Sequence, residues 1–292
     1  MNNPLEKVSN TLTLSSPAKV NLFLETHYPR EDGYWEIETI LQEIGLNDEI
    51  TLILQKKDIT LTCNLPSLST QENLAYKAAS LLKEKFKIKE GVSIHIKKNI
   101  PIGAGLGGGS SNAATVLKGL NQLWDLSLEK EDLMEIASSL GSDVPFFIVG
   151  GTALGKGRGE IIIPLPSLPE WEITLVVFPF SIFTASIYSK VHPGNHPQPS
   201  LPLIEAIHRK SKEEIEELLF NRLEKIVIKE YPIIGEVKET LFSLGIKGTL
   251  MSGSGPTLYA FLPTPEIKKD IQKALSRFGV KLLFTHFQMS KS

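Results

Sequence analysis

The feature that most constrains this chain is a glycine-rich stretch, "PIGAGLGGGSS", at residues 101–111. Five of its first nine residues are glycine, which lets backbone N–H groups point inward together without meeting side chains. A strand-like run over 91–101 precedes it, and an amphipathic helix pattern follows, with apolar residues at Ala113, Val116, Leu117, Leu120 and Trp124. A helix N-terminus adds unpaired N–H donors and partial positive charge. The stretch therefore predicts a phosphate-binding strand, loop and helix, with Ser110, Ser111 and Asn112 marking the start of the helix.

Three other interpretations of the stretch compete with this one. A P-loop requires a lysine directly after the glycines, and none is present, which excludes it. A dinucleotide fingerprint occurs at Gly103, Gly105 and Gly108, with Glu129 near the expected acidic spacing, but the loop begins at a proline and lies far from the N-terminus. A flexible loop without a ligand seldom carries so many glycines and two serines against a strong helix start. The phosphate cradle is the favoured interpretation.

Composition limits the partners of such a site. The 292 residues are 41% hydrophobic and 22% charged, which suits one large domain or two modest ones. The formal net charge of −2 gives no basic field to attract nucleic acid or an anionic membrane. One cysteine, Cys63, cannot form an intrachain disulfide, and residues 1–20 lack the pattern of a signal peptide. With no apolar stretch long enough for a membrane span, we expect a cytoplasmic protein.

The order of predicted elements indicates an α+β architecture in two domains, 1–164 and 165–292, because no regular βαβ repetition occurs. In the first half we expect strands at 11–16, 20–27, 48–54, 58–64 and 91–101 and helices at 73–86 and near 129–140. A proline-rich junction at 165–171 separates the halves, and a proline-rich loop follows at 192–202. The second half predicts strands at 172–178, 246–250 and 257–262, helices near 203–209, 212–228 and 232–244, and a closing helix and strand. Each half has a glycine-rich turn, and the two could face a shared cleft.

The glycine-rich stretch resembles the ATP loop of the GHMP kinases, P-x-G-x-G-L-G-[GS]-S-[SA] opening a helix. Further segments resemble the same family in order, so that the resemblance covers nearly the whole chain: "SPAKVNLFLETHYPREDGYWEIET" (16–39), "ENLAYKAASLL" (72–82), "GSDVPFFIVGGTALGKGRGE" (141–160), "FTASIY" (183–188) and "MSGSGPTLYAF" (251–261). The resemblance implies a ribosomal protein S5 domain 2-like N-terminal domain and a ferredoxin-like C-terminal domain. It also implies a kinase that uses Mg²⁺ and ATP.

These segments look most like the branch that phosphorylates the 2-hydroxyl of a cytidine-diphosphate-linked methylerythritol, a step of non-mevalonate isoprenoid synthesis. By this resemblance Asp143 in "GSDVP" is the base and Lys19 in "PAKVN" its partner cation. Asn21 projects to the same strand face as Lys19 and is expected to donate a hydrogen bond to substrate. Without the motifs around them, Asp143 would indicate only a turn before a strand and Lys19 only a solvated edge residue.

The resemblance also implies where the ligands bind. Asn73 and Lys98 would lie near adenine, and Ser111 would offer its hydroxyl to Mg²⁺. The residues expected to wrap the phosphates are Pro101, Ile102, Gly103, Ala104, Gly105, Leu106, Gly107, Gly108, Gly109, Ser110 and Ser111.

At the acceptor end, Tyr34 would stack on the base, followed by Trp35 where the family normally has histidine. Tyr188 fits the opposite side, with Thr184 alongside. Gly253, Ser254 and Gly255 would brace the phosphate loop or touch the substrate diphosphate, or form only a tight turn, or do both. The expected partner is a small molecule, with the chain a monomer or homodimer. The alternatives are another small-alcohol kinase of this family, of the homoserine or mevalonate type, and a catalytically silent ATP-binding regulator.

Overall fold

Two β-sheets, each with helices packed against it, organise the part of the chain that the computed structural model describes, residues 10–192 and 197–289. The strands are β1 (Thr11–Pro29), β2 (Trp35–Gln55), β3 (Ile59–Cys63), β4 (Gly91–Lys97), β5 (Thr152–Lys156), β6 (Ile161–Pro164), β7 (Glu172–Val177), β8 (Phe220–Asn221), β9 (Thr249–Met251), β10 (Leu258–Phe261) and β11 (Lys281–His286). The helices are α1 (Leu74–Lys85), α2 (Gly108–Leu123), α3 (Lys130–Leu140), α4 (Val144–Val149), α5 (Thr184–Tyr188), α6 (Leu201–Arg209), α7 (Lys212–Leu218), α8 (Glu224–Glu230), α9 (Pro232–Ser243) and α10 (Ile267–Leu275). None of these helices is long and apolar enough to cross a membrane.

The first sheet carries the long antiparallel pair β1 and β2 at its centre, in the order β3-β4-β2-β1-β8, with β5 beside β2 and β6 beside β5. The apolar face of α2 packs on this sheet, as the spacing predicts, and its members Ala113, Val116, Leu117 and Leu120 are fully buried. Gly119 allows the close approach, because a Cβ there would lie 2.5 Å from Leu52 Cδ1. This packing fixes the direction in which the N-terminus of α2 points.

The second sheet has the order β11-β7-β10-β9, and all its pairs are antiparallel. Numbered along the second half, that order is 4-1-3-2, with helices after the first strand and after the third. This is the ferredoxin-like arrangement that the resemblance implied. The predicted boundary at 164/165 falls in the connection between β6 and β7.

Several contacts tie the two halves together. The short strand β8 pairs in parallel with β1, with Phe220 opposite Phe23. Near the end of the chain, Phe287 forms a β-bridge with Ile44, and the Gln288 amide donates to the Glu43 carbonyl at 2.9 Å. Two separate sets of backbone hydrogen bonds therefore join the halves.

Some predicted elements differ from the observed ones. The strands expected at 11–16 and 20–27 are one strand, β1, whose pairing with β2 shifts register at Pro17/Ala18 and again at Asn21/Phe23. The helix expected at 212–228 is two helices, α7 and α8, with β8 between them. Asp143 precedes a short helix, α4, rather than a strand, in keeping with Pro145 in its first turn.

The start of α2 also differs, since the helix begins at Gly108 and not at Ser110–Asn112. Gly107 takes a left-handed φ of 70°, and its carbonyl accepts from the Ser111 amide at 2.9 Å. Two parts of predicted segments lie outside the described residues. They are residues 193–196 of the proline-rich loop and residues 1–9 of the segment without a signal-peptide pattern.

Candidate active site

A cavity of about 1190 Å³ lies between the two halves of the chain. Clefts for a single small ligand have roughly 300–1,000 Å³, so this one has room for two ligands side by side. Both glycine-rich turns face it, as the sequence suggested. The predicted site residues that line it are Lys19, Asn21, Tyr34, Trp35, Asn73, Lys98, residues 101–110, Asp143, Thr184, Tyr188, Gly253 and Ser254.

The glycine-rich loop is held directly against the turn from the second half. Gly105 has a φ of +75°, and a Cβ there would lie 2.1 Å from the Ser252 carbonyl oxygen, so only glycine fits. The Ser252 hydroxyl donates to the Gly105 carbonyl at 2.9 Å. This contact supports the bracing interpretation of the second turn, and Ser252 is a contributor that the sequence reasoning missed.

Backbone N–H groups at the start of α2 are available to an anion. No side chain caps this 16-residue helix. The amides of its first three residues, Gly108, Gly109 and Ser110, have no partner within the helix because the intrahelical bonds begin with Ser111. All three residues line the cavity. The geometry is that of an anion-binding helix N-terminus preceded by a loop with few side chains.

A buried carboxylate, Asp48, supports this loop from behind. Its Oδ1 accepts from the backbone amides of Asn99 and Ile100 at 2.7 and 2.9 Å. Its Oδ2 accepts from Asn112 Nδ2 at 2.8 Å and pairs with Lys98 Nζ. Lys98, expected near adenine, is thus held beneath the first turn of α2, with Nζ 2.6 Å from where a Cβ of Gly108 would lie. Nothing in the sequence near Asp48 indicated this role, because its partners come from residues about fifty positions away.

Two predicted site residues lie behind the cavity wall. Ser111, expected to offer its hydroxyl to magnesium, is fully buried, and that hydroxyl lies 2.8 Å from the Ser16 hydroxyl of β1 and not at the cavity surface. Because α2 begins at Gly108, Ser111 lies inside the helix, where its side chain packs on the sheet. Gly255 does not line the cavity either, and a Cβ there would lie 2.6 Å from Met251 Sδ.

Lys19 and Asp143 meet at the cavity wall, with Lys19 Nζ 3.7 Å from Asp143 Oδ2. The Lys19 side chain is almost fully buried, whereas that of Asp143 is 38% exposed and open to a ligand. Lys19 Nζ also donates to Asn21 Oδ1 at 2.7 Å. The Lys19 backbone amide donates to the Leu106 carbonyl at 3.0 Å, which joins the pair to the glycine-rich loop.

Aromatic side chains, among them Tyr34 and Tyr188, line the part of the cavity expected to hold the acceptor. The Tyr34 ring is about half exposed, and the guanidinium of Arg158, which the sequence reasoning did not single out, lies 4.9 Å from its centroid. Tyr188 is partly buried; burial raises the pKa of its phenol, and the nearby charge of Asp143 raises it further, so the phenol keeps its proton at neutral pH. Thr184 Oγ1 lies 2.8 Å from Ser254 Oγ.

Asn73 lines the cavity just before α1. Its Oδ1 accepts from the Ala75 amide at 3.0 Å, which caps α1 as predicted, and its Nδ2 donates to the Leu68 carbonyl at 2.9 Å. Asn73 therefore fixes the loop that forms this wall.

Comparison with known proteins is consistent with this geometry. Residues 73–151 match the family described as "GHMP kinases N terminal domain", and residues 203–281 match "GHMP kinases C terminal". The chain is 42% identical over 271 residues to the 4-diphosphocytidyl-2-C-methyl-D-erythritol kinase of Geobacillus kaustophilus, covering 91% of this chain and 93% of the relative.

Solved structures show the same similarity. A crystal structure of a 4-(cytidine 5'-diphospho)-2C-methyl-D-erythritol kinase matches with a TM-score of 0.79 and 34% identity, covering 96% of this chain and all of that one. A mevalonate kinase of L. major matches with a TM-score of 0.77 over the whole of both chains, but at 17% identity, which supports a shared fold alone.

Proposed function

The chain belongs to the GHMP kinases, and on that premise we propose that it transfers the γ-phosphoryl group of ATP to the 2-hydroxyl of 4-diphosphocytidyl-2-C-methyl-D-erythritol, a step of non-mevalonate isoprenoid synthesis. It is an ATP-dependent kinase with an alcohol as acceptor. The observation that carries the assignment of roles is the Lys19–Asp143 pair, placed in one cavity with the glycine-rich loop.

The chemistry follows from this arrangement. The Asp143 carboxylate accepts the proton of the acceptor hydroxyl, and the freed oxygen forms a bond to the γ-phosphorus. The bond from that phosphorus to the oxygen bridging it to the β-phosphate breaks, and ADP leaves. Lys19 stabilises charge on the transferring group, while the amides at the start of α2 hold the phosphate chain. Because Lys19 is almost fully buried, its charge is poorly screened by water and acts strongly on the reacting groups.

We propose that magnesium enters with the nucleotide. Among residues 10–192 and 197–289, no cluster of three or more His, Cys, Asp or Glu side chains is placed to hold a metal ion. In kinases Mg²⁺ binds phosphate oxygens and water and needs few protein ligands. The Ser110 hydroxyl, which lines the cavity, is the oxygen we would assign to it, and the bound ion would neutralise phosphate charge.

The enzyme recognises the acceptor through the acceptor's cytosine ring. Tyr34 and Tyr188 both line the cavity, and we propose that the cytosine stacks on Tyr34 with Tyr188 opposite. Trp35 takes the position of the family histidine and adds apolar area. Homoserine and mevalonate have no base to stack, so this aromatic end favours the cytidyl acceptor.

The test is an ATP-dependent assay with three acceptors, the cytidyl-linked methylerythritol, homoserine and mevalonate, monitored by phosphorus NMR of the product. We expect turnover with the first alone and a new phosphomonoester at its 2-position. Turnover with homoserine or mevalonate at a similar rate would overturn the acceptor assignment. Absence of turnover with all three, while ATP still binds, would favour the regulator alternative.

We also propose that the enzyme acts in the cytoplasm, as a monomer or homodimer, without a nucleic-acid or membrane partner. The net charge of −2 gives no basic field to attract nucleic acid or an anionic membrane, which supports the absence of such partners.

A further inference from the structure

We propose that Thr39 is a positioning residue for phosphoryl transfer: its hydroxyl fixes the amide of Asn21 so that the Asn21 oxygen, not its nitrogen, faces Lys19. This inference rests on the proposed function, because it assigns the way in which Lys19 is oriented for the reaction. Thr39 lies on β2, paired with Leu24 of β1 three residues after Asn21, and it is buried.

A continuous chain of hydrogen bonds joins these residues. Lys19 Nζ donates to Asn21 Oδ1 at 2.7 Å, and Asn21 Nδ2 donates to Thr39 Oγ1 at 2.8 Å. Thr39 Oγ1 in turn donates to the backbone carbonyl of Phe23 at 2.7 Å. All three residues are at most 3% exposed, although each of them also lines the cavity.

The direction of this chain is set by its far end. A threonine hydroxyl has a single proton to donate, and the Phe23 carbonyl can only accept. Once that proton is used, Thr39 Oγ1 can only accept from Asn21, which must then present its NH₂ group. The amide oxygen of Asn21 is left facing Lys19. A flipped amide would set two N–H donors against each other in a buried site, at the cost of a lost hydrogen bond.

This orientation matters because it controls where the three protons of the Lys19 ammonium point. One is committed to Asn21 Oδ1, and the charge also faces Asp143 at 3.7 Å, beyond ordinary hydrogen-bond distance. The remaining N–H groups are directed toward the cavity, where the acceptor hydroxyl and the transferring group must lie. Without the Thr39 hydroxyl, Asn21 loses its fixed orientation and Lys19 loses its anchor.

The experiment compares Thr39→Val, which keeps the shape but lacks the hydroxyl, with Thr39→Ser, which keeps the hydroxyl. We expect Thr39→Val to lower kcat about tenfold or more, the equivalent of one buried hydrogen bond. KM for ATP should be unchanged, because the phosphate loop is not touched. Thr39→Ser should keep most of the wild-type kcat. If the valine variant does not fold, Thr39→Cys replaces it, since a thiol is a weak hydrogen-bond partner.

A double-mutant cycle separates positioning from a merely structural role. In an Asn21→Ala background, where there is no amide to orient, Thr39→Val should lower kcat no further. A loss that multiplies with that of Asn21→Ala would overturn the proposal, because independent effects add in free energy. So would equal kcat values for the valine and serine variants. The wild-type enzyme, assayed in parallel with the cytidyl acceptor, tests the proposed function itself, so a failure of one is distinguishable from a failure of the other.

Discussion

At the scale of single residues, the unequal exposure of Lys19 and Asp143 fits the different roles proposed for them. Lys19 is enclosed by Asn21, the Leu106 carbonyl and Gly253, whose hypothetical Cβ would lie 3.3 Å from Nζ. Asp143 has more than a third of its side chain open to the cavity. A fixed cation and an accessible carboxylate are what transfer to a hydroxyl requires, one group to stabilise charge and the other to take a proton.

The first prediction concerns Asp143 as the proton acceptor. Asp143→Asn keeps the size of the side chain but removes the proton acceptor, and kcat should fall by about 10²–10⁴-fold while ATP still binds. Glu72→Gln is the matched control, because Glu72 also lines the cavity but is largely exposed and pairs with Lys77. Steady-state kinetics and ATP titration calorimetry measure both. Near-normal turnover in the Asn variant would remove Asp143 from the role of base.

The second prediction concerns stacking of the acceptor's cytosine ring on Tyr34. Arg158 covers one face of Tyr34, which leaves the other face for the cytosine. Stacking of a base on an aromatic ring is worth about 1–3 kcal/mol, so Tyr34→Ala should raise KM for the cytidyl acceptor about tenfold or more and leave KM for ATP unchanged. Tyr34→Phe retains the ring and should resemble the wild type. An equal rise in both KM values would contradict stacking at this position.

At the scale of elements, the sequence predicted best what depends on neighbouring residues. The buried stripe of α2, the Asn73 cap of α1 and the strand β4 follow from local periodicity and capping chemistry. The two-residue strand β8 inside a predicted helix could not be foreseen, because only its pairing with β1 creates it. Ser111 shows how sensitive site prediction is to element ends, since a helix that begins at Gly108 places Ser111 inside the helix, where its side chain is buried, and not at the N-terminal cap.

The third prediction tests the contact between the two glycine-rich turns. Gly105→Ala places a Cβ 2.1 Å from the Ser252 carbonyl at a positive φ and should lower the free energy of unfolding by about 2 kcal/mol or more. Gly109→Ala is the control, because its Cβ would meet only Leu74 Cδ1 at 3.9 Å and should be neutral or stabilising by up to about 1 kcal/mol. Urea unfolding measures both. Equal losses would mean that the contact does not constrain the loop.

At the scale of the whole molecule, a buried ion pair joins the halves. Arg222, just after β8, donates to both carboxylate oxygens of Glu25 on β1, which also accept from the amides of Thr26 and Gln198. Burial alone would raise the pKa of Glu25, but these hydrogen bonds outweigh it and hold that pKa below its usual value. The pair therefore stabilises the fold above the carboxyl pKa of the unfolded chain, and this stabilisation is lost as the pH falls through the folded-state pKa.

The fourth prediction follows from that pair. Glu25→Gln should lower the free energy of unfolding by about 1–3 kcal/mol at neutral pH, because the partly exposed Arg222 loses its charged partner. The difference from the wild type should shrink in acid. Glu214→Gln removes an exposed pair with Arg209 and should cost less than about 1 kcal/mol. Urea unfolding at about pH 7 and about pH 4, near the ordinary carboxyl pKa, measures both variants. A gap that does not change with pH would contradict the account of Glu25.

The β-bridge between Ile44 and Phe287 has a consequence for how the chain folds during translation. Gln42 and Gln288 touch although 246 positions separate them, and the second glycine-rich turn follows the first by about 150 residues. When only the first half has been translated, the glycine-rich loop at 101–111 is present. Ser252, which bonds to that loop, and Phe287, which pairs with β2, are still missing. The walls of the cavity therefore cannot all be in place before the second half of the chain has been translated.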